Sequence, residues 1–164
     1  MRYSTHGKTG LTVPALGFGC MRLPMSGGSV DRERSTPLLR TAYEKGVTFF
    51  DTAIGYCNSD SQPAVGEALE PIRDKVVIST KNHLHTASPD EWRRHLADSL
   101  RLLRTNYIDI YNHHGISWKT FTEHLDPDKG GLTQEMLRAR DEGLVRHIGF
   151  SFHAPPDDLK KLAD

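Results

Sequence analysis

Cysteine is scarce in this chain: Cys20 and Cys57 are the only two in 164 residues. That is too few for a disulfide-built secreted scaffold, and it points to free thiols in a reducing, cytoplasmic setting. Neither sign of charge is in excess, since Lys plus Arg and Asp plus Glu both total 21. The balance removes the long-range attraction that nucleic acid or an acidic membrane surface would call on. No apolar run approaches the roughly 20 residues of a spanning helix. The polar stretch Met1 to Lys8 lacks the apolar core of a signal peptide. No internal repeat, low-complexity tract or interdomain linker interrupts the chain. What remains is 37% hydrophobic and 26% charged, the proportions of one soluble globular domain with a real core.

The pattern along the chain is strand and helix in alternation. Two short alternating pieces around Lys8-Thr9-Gly10 predict a β-hairpin. Ala15 to Gly19 predicts a small strand whose two glycines admit a close neighbour. Gly27 to Ser29 reads as a loop and Asp31 as a helix cap. Leu38, Leu39, Ala42 and Tyr43 recur at helical spacing, and Gly46 marks the stop. Val47 to Phe50 is a buried strand ending on Asp51. Ser61 to Leu69 is a helix with Pro63 in its first turn, and Glu67 reads as a solvated charge on it. Val76 to Thr80 is the next strand, ending on Lys81. Ser88-Pro89-Asp90-Glu91 is a helix start with a capping Ser88. Tyr107 to Tyr111 is a strand, Leu132 to Glu142 a helix ending at Gly143, and Leu144 to Phe150 a strand. A further helix begins at Pro155.

Alternation of this kind predicts a parallel sheet with both faces covered and strands of near-continuous apolar character. An open dinucleotide fold would place a G-x-G-x-x-G turn after its first strand, and G-F-G-C-M-R-L-P does not fit that turn. Instead the polar residues Asp51, Lys81, His114 and Ser151 fall at the C-terminal ends of different strands. Such a ring is the arrangement of a (β/α)8 TIM barrel. A full barrel takes roughly 250 residues, so this chain is expected to be a partial one of about five strands. An acid at the end of a buried strand is costly unless paired. Asp51 and Lys81, at equivalent ends of successive strands with Tyr56 close by, could form that pair beside a phenol.

These residues also carry a resemblance. G-K-T-G-L-T-V-P-A-L-G-F-G, F-F-D-T-A-I-G-Y, S-T-K, Y-I-D-I-Y-N-H-H-G and G-L-V-R-H-I-G-F-S occur in that order. Together they resemble, nearly from end to end, the N-terminal part of an aldo-keto reductase. C-M-R-L-P and the His-Gly after the fourth strand resemble the branch whose longer members carry a C-terminal iron–sulfur segment, and the chain has no matching cysteine cluster. The resemblance implies an oxidoreductase that reduces aldehydes or ketones with NADP(H) or NAD(H). Tyr56 would be the general acid, Lys81 would lower its pKa, Asp51 would pair with Lys81, and His114 would orient the carbonyl. His114 aligns with the family's histidine, and strand alternation sets it on one face with Ile110 and Asn112, with His113 on the other. Gly19, Cys20 and Met21, with Asp51 and Ser151, would line the nicotinamide end. Phe152 stands where the family commonly has asparagine.

In the family the adenine phosphates are held mostly by loops after the seventh strand. The resemblance therefore implies a single domain, C-terminally incomplete, with the acid–base half of a site and weak cofactor binding and turnover on its own. Unpaired first and fifth strands with apolar inner faces would favour self-association or a complementary C-terminal half. Two alternatives stand beside this one. The first is a non-catalytic binding or regulatory module of the same family. The second is a metal-dependent hydrolase on a TIM barrel, because His83, His85, His113, His114 and Asp51 fall near strand ends and His83-x-His85 can ligate a metal. Against that second reading, Lys81 would set a positive charge beside the ion, and no metal ligand set is assigned.

Overall fold

The computed structural model describes residues 1–83 and 85–163. A hairpin of β1 (Tyr3–Thr5) and β2 (Thr12–Pro14) opens the chain and is followed by β3 (Phe18–Gly19). A second hairpin follows, β4 (Met25–Ser26) and β5 (Ser29–Val30), where the sequence predicted only a loop. Its two-residue turn is Gly27-Gly28, both at positive φ, which suits the tight connection that matches strand twist. The strands are too short for a period-two signal, so glycine alone marked the site.

Helices and parallel strands then alternate. The order is α1 (Arg32–Glu44), β6 (Phe49–Asp51), α2 (Ser61–Leu69), β7 (Val77–Asn82) and α3 (Pro89–Leu102). After these come β8 (Ile108–Ile116), α4 (Trp118–Thr120), α5 (Thr133–Asp141), β9 (Val145–Phe152) and α6 (Pro156–Ala163). Local chemistry sets several boundaries. Asp31 and Ser88 accept from the backbone N–H groups of Arg34 and Glu91, capping α1 and α3. Gly46 and Gly143, at φ 90° and 79°, follow the ends of α1 and α5 in the left-handed conformation. The stretch between β8 and α5 had no predicted element. It is α4 run into a π-helical turn (Phe121–Leu125) and a 3₁₀ turn (Pro127–Lys129).

The main sheet has five strands in the order β3-β6-β7-β8-β9, every neighbouring pair parallel. This is the open, partial form of an α/β barrel: strand follows strand in sequence, and each crossover carries a helix. One face of the sheet packs on the helices. Phe50, Ile78 and Tyr111 are fully buried there, and the Trp92 ring of α3 meets Tyr111 edge-on at 5.6 Å. Gln62 of α2 donates to Thr80 Oγ1 at 2.8 Å. Trp92, Leu96, Ser99 and Leu103 share the buried stripe of α3. On α1 the stripe is Ser35 and Leu39; Leu38, read as part of it, is 43% exposed.

Side chains alternate, so the other face carries Phe49, Val77, Ile108 and Val145 at one end and Asp51, Ser79, Lys81, Ile110, Asn112, His114, His147, Gly149 and Ser151 beyond them. This corrects two expectations. The strands are not near-continuously apolar, and the inner face is apolar at its N-terminal end and mostly polar or small toward the C-terminal rim. The exposed aromatic on the last strand, Phe150, lies on the helix side. Glu67 is also paired rather than merely solvated. It accepts from Arg32 Nε at 2.8 Å, tying α2 to the start of α1.

Candidate active site

Parallel register builds the site. Gly19 pairs with Asp51, and Asp51 with Ser79. One step further along, Lys81 pairs with Asn112, and Asn112 with Gly149. The C-terminal ends of β3, β6, β7, β8 and β9 therefore converge on one rim.

Lys81, 7% exposed, spends two donors on fixed acceptors. Its Nζ lies 2.5 Å from Asp51 Oδ2 and 2.9 Å from the carbonyl oxygen of Thr52. The ammonium also stands 4.9 Å from the centre of the Tyr56 ring. On another side of that phenol lies the imidazole of His114, its ring centre 5.7 Å away and nearly perpendicular at 84°. Burial, then the Lys81 charge, lowers the His114 pKa. Its imidazole is held neutral at pH 7, able to donate one N–H. Asp51, Tyr56, Lys81 and His114 are thus brought together.

His113 points the opposite way. It is buried behind the sheet, its Nε2 is 3.0 Å from Thr133 Oγ1, and burial pushes its pKa down to about 3. Ser151 lies further along the rim, where its Oγ accepts from the Gly115 N–H at 2.7 Å and keeps its own proton to donate.

Tyr56 sits on a loop held in an unusual backbone. Cys57, Asn58 and Ser59 follow it with φ of 52°, 56° and 67°. Three successive left-handed residues that are not glycine cost on the order of 1 kcal/mol each. Three contacts to two elements, the β4–β5 turn and the 3₁₀ turn Cys20–Arg22, hold this loop in place. Asn58 donates to Gly28 O at 2.9 Å, the Cys57 thiol to Met21 O at 3.3 Å, and Ser61 Oγ to Cys20 O at 2.8 Å. Behind it Asp60 accepts from the Val30 N–H at 2.7 Å and pairs with Arg32, which holds its carboxyl below the usual range.

Two contributors escaped sequence reading. Ser79 Oγ donates to Asp51 Oδ1 at 2.9 Å, and Asn112 Nδ2 donates to Ser79 Oγ at 3.0 Å. The two oxygens of Asp51 are thereby divided, one for Ser79 and one for Lys81. The available signal was period two: Ser79 lies two residues before Lys81, and Asn112 two before His114.

The residues fit the ring end of a nicotinamide. A Cβ on Gly19 would meet nothing within 4 Å, and the same holds for Gly55, so open space flanks Asp51 and Tyr56. Met21, 46% exposed, borders that space. Cys20 does not. It is fully buried in the core, and burial raises its thiol pKa, with the Asp51 charge adding to the rise. The histidines of the metal reading turn to separate partners: His85 Nε2 is 2.8 Å from His114 O and His113 faces Thr133, with the two rings 6.1 Å apart. Among the described residues no group of three or more His, Cys, Asp or Glu converges to hold a metal.

Residues 15–164 match the Aldo/keto reductase family. The chain belongs to that family. It is 30% identical to probable aldo-keto reductase 1 of Glycine max, an alignment covering 94% of this chain and 46% of that protein. The holo form of the aldo-keto reductase AKR11C1 from Bacillus halodurans superposes with a TM-score of 0.82 at 27% identity, over 99% of this chain and 54% of that one. An aldo-keto reductase from Klebsiella pneumoniae in complex with NADPH gives 0.75 at 27% identity, over 94% and 50%. The chain spans about half the length of the family members it matches. Among the described residues of this chain, no helix is long and apolar enough to cross a membrane.

Proposed function

We propose that this site reduces the carbonyl group of a small aldehyde or ketone to an alcohol, using NADPH, with Tyr56 as general acid. The observation that carries the reading is the placement of one phenol between a paired ammonium and a neutral imidazole. A carbonyl oxygen beside the Tyr56 hydroxyl takes its proton as negative charge develops. The phenolate oxygen left behind is stabilised by Lys81, which Asp51 and Thr52 O hold in place. His114 donates a hydrogen bond to the same carbonyl oxygen and fixes its direction. Tyr56 then recovers a proton from solvent.

When bound, the reduced nicotinamide supplies the hydride to the carbonyl carbon. Gly19 and Asp51 would flank its ring, and the Ser151 hydroxyl would meet its carboxamide. The Klebsiella pneumoniae relative, crystallised with NADPH, supports that cofactor.

The test is loss of NADPH absorbance with a neutral aromatic aldehyde, in wild type and in Tyr56→Phe. Turnover by the wild type that falls by about 10²–10⁴-fold in the variant is the expected result. Equal rates in the two would remove Tyr56 from the chemistry. A folded chain that binds NADPH without turnover would favour a non-catalytic binding module.

A further inference from the structure

A cavity of about 610 Å³ opens beside Tyr56. It lies between the 3₁₀ turn Cys20–Arg22, the β4–β5 hairpin and the left-handed turn, and is lined by Met21, Arg22, Leu23, Met25, Tyr56 and Asn58 among others. Its size is that of a site for a small organic molecule.

The polar groups around it are unequal. The Asn58 amide donates to Gly28 O, and the Cys57 thiol is turned onto backbone carbonyls. The nearby carboxylates are committed elsewhere. Asp60 takes Arg32 and the Val30 N–H, Asp31 caps α1, and Asp51 takes Lys81 and Ser79. Arg22 is exposed, and among the described residues no carboxylate pairs with it. Met21 and Met25, 46% and 38% exposed, put two thioethers on the same lining, beside Leu23. An unspent guanidinium on a cavity of mixed apolar and polar lining that also includes Tyr56 suits a ligand charged at one end only.

We infer that the site takes carbonyl substrates bearing a carboxylate, the oxo acids, with the carbonyl at Tyr56, an apolar body against Met21 and Met25, and the carboxylate on Arg22. This rests on the proposed reduction for the word substrate, but the binding it requires needs no turnover. A guanidinium recognises a carboxylate through paired N–H donors, and a solvated pair of this kind discriminates about two- to fivefold.

The experiment is an NMR titration of the whole chain with hexanoate and with hexanamide, which differ in charge and little in shape. Hexanoate is expected to bind about two- to fivefold tighter, to shift the Tyr56 and Arg22 signals, and to lose that advantage in high salt. Arg22→Gln should equalise the two ligands, and Arg22→Lys should keep part of the preference. Equal affinity in the wild type, no binding of either ligand, or a preference that survives Arg22→Gln would each overturn the inference. Reduction of a neutral aldehyde, measured separately, decides the catalytic reading. A carboxylated benzaldehyde compared with its methyl ester then reports the same discrimination in turnover.

Discussion

The ammonium of Lys81 stands 4.9 Å from the centre of the Tyr56 ring while its Nζ sits 2.5 Å from Asp51 Oδ2. The carboxylate thus holds a cation against a phenol, and the two residues come from different strands and loops. Replacing Lys81 with Met leaves the side-chain bulk and removes the charge. NADPH-dependent aldehyde reduction should fall by about 10²–10⁴-fold, with the loss in kcat. A variant with near wild-type kcat would show that the ammonium serves only the fold.

Ser79 and Asn112 are positioning residues, acting through Asp51. Hydrogen bonds to a charged group contribute about 1.5–3 kcal/mol. Ser79→Ala should therefore lower kcat by roughly tenfold or more with KM little changed, and Asn112→Ala by less, since it is one step further from the carboxylate. Ser79→Thr should restore most of the loss. A drop confined to KM would show that Ser79 shapes substrate binding instead.

His113 makes stability pH-dependent. Its folded pKa is depressed to about 3 by burial, against an unfolded value of about 6.5. Between those values the unfolded chain binds a proton that the folded chain does not. Stability is therefore fully present above about pH 6.5 and falls as pH drops, by roughly 2 kcal/mol at pH 5. Urea midpoints measured from pH 7 to pH 5 should show this slope, flattened in His113→Gln. An equal slope in both proteins would assign it to other groups.

At the opposite end of the sheet Asp109, 1% exposed, accepts from Arg73 at 2.7 Å and from Arg146 at 3.1 Å. The same two guanidiniums lie over the Tyr107 ring, at 4.1 and 3.7 Å. Arg73→Met removes the more buried partner of a buried carboxylate and should destabilise by about 3–5 kcal/mol. Chemical denaturation gives the value, and NADPH-dependent activity at low temperature should survive.

The left-handed turn after Tyr56 offers a stabilising change. Ser59 is exposed at φ 67°, so glycine there relieves backbone strain and adds unfolded-state freedom. The net effect of Ser59→Gly should be a gain of about 0.5–1 kcal/mol. A lower melting temperature would mean that the turn is held by Ser59 itself.

Much of the fold was legible because its signals are local. A Ser-Pro-Asp-Glu start, a Gly stop and apolar spacing define α3 and the end of α1 within a few residues of where they lie. Strand limits were less legible: Lys81 and His114 lie inside β7 and β8, since ladder pairing continues through polar residues that local pattern reads as strand ends. Cys20 was assigned to the site from its neighbours in sequence, yet its thiol turns into the core. One residue of rotation along a 3₁₀ turn separates it from exposed Met21.

The order of chemical groups along the chain, Asp51, Lys81 and His114 on three successive strands with Tyr56 in the loop after the first, was determined by the sequence by itself, as was the side of β8 on which His114 lies, through its period of two. Only the tertiary structure decided who touches whom: Ser79 and Asn112 behind Asp51, Glu67 on Arg32, and Arg22 on one cavity with Tyr56. Turn chemistry and periodicity act over a few bonds. Hydrogen bonds and ion pairs between strands depend on register across the sheet, which no short stretch of the chain encodes.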